Sequence, residues 1–157
     1  MSPVITIREY NSQSGALLGN VSVLSYGRIA AGTRSSVKCL DIAFTDVTNI
    51  GNLKLGLISA GNLTVNSSPT DIAADGSSLS GYFGIEYTST FDSSKAASPL
   101  SRHFAGLNAS ITAADQNNVS IPTRATNLSD YIYLDIQVDS SSLGTNQGAL
   151  KIFFDYS

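Results

Sequence analysis

Charge, sulfur and imidazole are all scarce in this chain. Charged residues are 13% of its 157 positions, about half the share of an ordinary globular protein, and there is one cysteine, one histidine and no tryptophan. A lone cysteine forms no internal disulfide, and one Cys with one His does not supply the nitrogen and sulfur ligands of a usual zinc site. Cys39 sits in the apolar run Val37, Lys38, Cys39, Leu40 and is expected to be a small buried side chain. A reactive thiol needs a cationic setting, and only Lys38 and Arg34 are near in sequence.

The few chemically able residues do not assemble into a motif. His103 lies in Ser101, Arg102, His103, Phe104, on a loop or short helix. A hydrolase triad needs a base held by a carboxylate and aimed at a nucleophile, and no G-x-S-x-G elbow occurs. Glycoside hydrolysis needs two carboxylates, and nothing singles out a pair from Glu9, Asp41, Asp46, Glu86 and Asp135. Asp71, Asp75 and Ser77 come nearest to a calcium loop but lack the acids and spacing of an EF-hand, so Asp75 and Gly76 are expected to form a plain turn. Glycines are scattered at turns and build no phosphate cradle. The expectation is a non-enzymatic chain without catalytic residues, cofactor or metal. Six N-x-S/T sequons, beginning at Asn20, Asn62, Asn66, Asn108, Asn118 and Asn127, are a by-product of a chain rich in Ser, Thr and Asn.

Nine basic and twelve acidic residues leave a net charge of −3, with no Lys/Arg cluster. Neutralising phosphates needs a basic stripe, so direct nucleic-acid binding is not expected, and neither is a polybasic membrane anchor. No apolar run approaches the ~20 residues of a membrane-spanning helix. No basic and apolar leader follows Met1. The chain is expected to be made in a cytoplasm and to stay soluble unless it leaves within an assembly.

What the sequence does hold is alternation. Strands are predicted over residues 4–8, 21–29, 37–44, 52–59, 62–65, 81–88, 131–138 and 150–156. In the third, Leu40, Ile42 and Phe44 face one way and Cys39, Asp41 and Ala43 the other. Ile132, Leu134, Ile136 and Val138 make one apolar face, as do Leu150, Ile152, Phe154 and Tyr156. These last two strands, joined by the polar loop 139–148, suggest an antiparallel hairpin whose final strand is paired centrally. Helical potential is confined to single turns near 92–97 and 99–107. The long polar connections are 66–80 and 110–129. The fold class expected is all-β: one domain over residues 1–157, a single antiparallel β-sandwich of seven to nine strands, Ig-like or jelly-roll.

The segment before Val21 carries its own apolar residues, Val4, Ile5, Ile7, Leu17 and Leu18. Residues 1–20 are therefore expected to be an N-terminal arm or edge strand that packs on a neighbour. On that view, deleting residues 2–12 releases the chain from its assembly while the domain still folds. Tyr131 and Tyr133 are the other candidate interface residues, and with Tyr82 and Tyr87 they are the chain's means of stacking on a sugar.

The opening "SPVITIREYNSQSGALLGNVSV" and the close "YIYLDIQVDSSSLGTNQGALKIFFDYS" resemble small structural proteins of tailed-bacteriophage virions. That group includes capsid decoration (cement) proteins and β-sandwich pieces of necks, tails and baseplates. The resemblance implies a virion location, repeated copies (a homo-oligomer, often a trimer), and major capsid or tail proteins as partners. It assigns no functional residue. The alternative is a carbohydrate- or receptor-binding module of a fibre or cell-surface assembly.

Overall fold

A computed structural model describes residues 2–26, 29–30, 33–60, 82–97, 100, 104, 118–137 and 147–157. Its elements are β1 (Val4–Tyr10), β2 (Leu17–Asn20), β3 (Lys38–Thr45), β4 (Ile50–Ala60), β5 (Tyr82–Thr88), a 3-10 turn (Ser93–Ala96), β6 (Val119–Ser120), β7 (Thr123–Ala125), β8 (Leu128–Ser129), β9 (Tyr131–Gln137) and β10 (Gln147–Tyr156). The fold is all-β and sandwich-like, with antiparallel pairing throughout. Ten strands lie among the described residues, against the seven to nine expected. The excess comes from β6, β7 and β8, which break up a stretch expected to be one polar connection. Strands of two or three residues carry no readable period.

One sheet runs β2-β1-β3, and the far edge of β3 is shared between two neighbours. Residues Lys38–Leu40 pair with β9, whose other edge pairs with β5, while Ala43 pairs with β8 and through it β7. Where the partner changes, the backbone amide of Ile42 would be left without a carbonyl. It donates instead to Ser129 Oγ at 2.8 Å, which in turn donates to the Asp130 carbonyl at 2.8 Å. A buried backbone donor is thereby kept satisfied at the break. The second sheet is β10-β4-β6.

The main core lies between the sheets. Leu40, Ile42, Phe44, Ile85, Ile132 and Leu134 of the first meet Leu53 and Leu55 of β4, with Ile152 and Phe154 of β10 packed against them. The Phe44 and Phe154 rings lie 4.8 Å apart. β9 and β10 therefore turn their apolar faces toward each other across the sandwich and are not a hairpin. Nor is β10 central: among the described residues it pairs with β4 alone.

β3 is buried on both faces. Cys39, on its outer face, belongs to a second cluster with Tyr10, Val37, Leu100 and Tyr133, to which Phe91 and Tyr131 add. The segment after β5 covers this face. Asp92 caps the 3-10 turn by accepting from Ser94 N at 2.9 Å, in keeping with the helical turn expected there. Leu100 and Phe104, the described residues of the second expected turn, are both buried.

The N-terminal segment is not an arm. β1 lies between β2 and β3 and pairs with β3 over its whole length, from Val4 opposite Thr45 to Tyr10 opposite Cys39; β2 takes the edge. Removing residues 2–12 would strip a strand from the sheet and would not merely free a tether. Residues 21–26, expected to be strand, instead leave the sheet after Val21 N donates to Ile7 O, and Leu24 and Tyr26 pack against the main core. The strand expected at 62–65 and the loops 66–80, 110–117 and 139–146 lie outside the described residues.

Two bends need unusual backbone. Asn52 has φ +50° where the β4–β10 register shifts, the left-handed conformation that a bulge uses and that Asn tolerates. Gly15 has φ +75° in the β1–β2 turn, and a Cβ there would lie 2.8 Å from the Phe91 ring. Gly15→Ala should lower stability by about 1–3 kcal/mol, from left-handed strain and displacement of the ring. Gly51→Ala, with open space around it, should stay within about 0.5 kcal/mol. Denaturant midpoints of the two variants check this pair.

Candidate functional site

The densest polar chemistry lies on the outer face of the larger sheet. Asp41 has no solvent exposure. Its Oδ1 accepts from Arg8 Nε at 2.8 Å, and its Oδ2 accepts from Arg8 Nη2 at 2.6 Å, Tyr10 Oη at 3.0 Å and Arg124 Nη2 at 2.6 Å. The register of β1 on β3 sets Arg8 opposite Asp41, and alternation brings Tyr10 to the same face. Arg124 arrives from β7, donates Nη1 to the Ser129 carbonyl at 2.8 Å, and lies over the Tyr131 ring at 4.0 Å. Tyr10 and Tyr131 meet edge to face at 5.2 Å.

These contacts explain the shifted groups. The hydrogen bond to Asp41 raises the Arg8 pKa, against the opposing effect of burial. Burial first, then the Asp41 bond, raises that of Tyr10. Burial also raises Tyr133, whose hydroxyl accepts from Asp92 N at 2.9 Å and is 2.8 Å from Thr88 Oγ1. Tyr26 is raised by burial and donates to the Leu134 carbonyl at 3.2 Å. A carboxylate that accepts four donors is an anchor: both oxygens of Asp41 are committed to holding β1, β3 and β7 together.

The other acids considered for chemistry are spread apart. Glu9 pairs with Lys38 at 3.3 Å and Glu86 with Lys95 at 3.1 Å. Asp46 sits in the turn after β3 with φ +62°, and Asp135 is buried near Leu100 N. No group of three or more His, Cys, Asp or Glu side chains gathers among the described residues. No helix among them is long and apolar enough to cross a membrane. His103 and the loop of Asp71, Asp75 and Ser77 lie outside the described residues. Cys39 is fully buried, and its surroundings push the thiol pKa up to about 12, through burial and then the negative charge of Asp41.

The candidate interface residues divide in two. Val4, Ile5, Leu17 and Leu18 are exposed on the β1–β2 hairpin, Leu18 at 61%. Val23, 77% exposed, follows the hairpin in sequence, within residues 21–29 where a strand is expected. Ile7 turns inward and packs against the main core. Tyr133 belongs to the interior, with no exposure, and Tyr131 is half-buried between Tyr10, Phe91 and Arg124. Neither ring is laid open as a docking platform, a correction to the expectation. Each lies on the face of β9 covered by the segment after β5, which alternation alone left looking solvent-facing. Tyr87 also packs against the core.

No protein-family model matches the chain, and a search of curated proteins finds no match.

Three outcomes follow from the buried groups. Asp41→Ala leaves two guanidinium groups without their anion and should cost on the order of 3 kcal/mol in chemical denaturation. Cys39 should resist alkylation in the native state near neutral pH and react with one equivalent once unfolded. The raised pKa values of Tyr10, Tyr26 and Tyr133 mean that the unfolded chain loses these protons first. Their stabilising contribution is thus complete below the ordinary value of 10.0 and is lost as pH rises beyond it. Melting temperature, followed by circular dichroism, should fall above about pH 10.

Proposed function

We propose that this chain is a non-enzymatic structural subunit of a virion, a capsid decoration protein that binds major capsid protein through the outer side of its β1–β2 hairpin. The observation that carries the reading is where the exposed apolar surface lies. Of the six large hydrophobic residues exposed among the described residues, five (Val4, Ile5, Leu17, Leu18 and Val23) fall within residues 4–23. Val4 and Ile5 stand at the start of β1 and Leu17 and Leu18 beside its end at Tyr10, and exposed apolar side chains along an edge hairpin are what a partner shields from water.

The rest of the molecule supports a surface role. Its buried Asp41 pairs with Arg8 and Arg124 across strands of the sheet, where the three fix geometry. The uncharged Ser/Thr/Asn-rich surface avoids the desolvation cost that unpaired charges bring to a packed junction. Copies repeated on a symmetric shell gain avidity, so each hairpin contact can be weak. The glycan-binding alternative is disfavoured by the burial of Tyr133 and the packing of Tyr87 and Tyr131, three of the four rings it would use.

The test is sedimentation of tagged chain with virion-sized particles, from cells expressing it from its own genomic segment. Wild-type chain should run with the particles. Leu17→Lys combined with Leu18→Lys should keep the wild-type melting temperature, because both side chains are exposed, and should lower incorporation at least about tenfold. Wild-type chain absent from the particles, or a double variant that incorporates as well as wild type, overturns the reading.

A further inference from the structure

β10 is the longest strand found at a sheet edge among the described residues, running from Gln147 to Tyr156 and pairing there only with β4. The β4 bulge leaves β10 itself regular, because the extra residue is on the β4 side: Phe153 pairs with Lys54 and Asp155 with Gly51. A long regular edge offers backbone N–H and C=O groups as a template for another strand.

The order of side chains along this edge favours a particular strand. Residues 150–156 read Leu, Lys, Ile, Phe, Phe, Asp, Tyr. Set against an antiparallel copy of itself with Phe153 opposite Phe153, the segment places Lys151 opposite Asp155 twice. Ile152 then faces Phe154, and Leu150 faces Tyr156. Directly opposed residues share a face, so the charges meet on the outer face and the apolar pairs continue the core side. Moving the register by two residues either way destroys both charge pairs. Both charges are already held in place: Asn52 Nδ2 donates to Asp155 Oδ2 at 2.6 Å, and the Lys151 ammonium lies 5.4 Å from the centre of the Phe153 ring.

We infer that a second copy of this chain docks on β10, antiparallel and two-fold symmetric about Phe153, joining two three-stranded sheets into one of six strands. Such an isologous contact closes on itself and gives a dimer. The inference is independent of the virion reading, since it uses the opposite sheet and a different partner.

The experiment is the molar mass of the full chain by sedimentation equilibrium, with a charge exchange as its core. Wild type should be a dimer. Lys151→Asp sets two acid pairs across the axis and Asp155→Lys two basic ones, so each variant alone should dissociate at least about tenfold more readily. An equimolar mixture of the two restores both opposite-charge pairs and should recover dimer. That recovery would not follow if the substitutions merely weakened each fold. As a second measurement, Phe153→Cys should cross-link to itself under mild oxidation. Opposed Cα atoms about 4.5–5.5 Å apart are within disulfide reach, and Cys39 is buried. A monomeric wild type, a dimer indifferent to both single charge changes, no recovery on mixing, or no cross-link at position 153 would each overturn the inference.

Discussion

Asp41 carries a full charge into a place without water, and the larger sheet is organised around keeping it satisfied. Its acceptors are filled by Arg8 and Tyr10 from β1 and by Arg124 from β7, so one carboxylate joins three strands. The attraction must offset the desolvation of all the groups, and well-packed apolar residues of similar volume can do as well for stability alone. What an apolar replacement does not supply is an address. A one-residue slip of β1 on β3 would carry Arg8 and Tyr10 to the opposite face and leave Asp41 buried without its donors, so the wrong register is penalised far more than the right one is rewarded.

That constraint makes β3 a two-faced strand. Leu40, Ile42 and Phe44 serve the core between the sheets, while Cys39 and Asp41 serve a second interior closed by Phe91 and Leu100. The cover is tied down from several directions. Phe91 rests on Gly15 of the β1–β2 turn and on the rings of Tyr131 and Tyr133, and Asp92 N donates to the Tyr133 hydroxyl. A sandwich with one sheet buried on both sides has less surface to offer than its strand count suggests. Tyr10, Tyr131 and Tyr133 are spent on this third layer, while Val4, Ile5, Leu17 and Leu18 stay exposed on the β1–β2 hairpin.

Alternation made the strands legible, because a period of two reports which residues share a face. The alternation of residues 37–44, 131–138 and 150–156 matches β3, β9 and β10 closely, and Leu40, Ile42 and Phe44 share the face it predicts. Pairing was not legible. Ile132 with Leu134 and Ile152 with Phe154 demand apolar company, and that demand is met equally by a neighbour in the same sheet or by a strand across the core. The hairpin expected of β9 and β10 was the wrong one of these two solutions. The burial of Tyr133 was hidden for a related reason. Its face of β9 alternates with polar residues, as a solvent face would, and what covers it comes from a segment with no period of its own. Leu17 and Leu18 are exposed while Ile7, grouped with them by its apolar character, packs on the core, a difference that apolar character alone does not report.

The edge strands β2 and β10 differ in how much information they carry. β2 is four residues long, its register on β1 is broken at Tyr10, and Gly19 has φ +137°, so its backbone is a poor template and its two leucines provide the contact. Aliphatic side chains attract without direction; a partner there must bring its own shape. β10 is regular and ten residues long, and it carries a cation and an anion four positions apart. In a chain with 13% charged residues, a cation and an anion on one edge strand are a scarce source of register information. Ser, Thr and Asn pair tolerantly in almost any register. Lys151 and Asp155 do not, and a scarce charge therefore specifies more here than it would on a surface crowded with both signs.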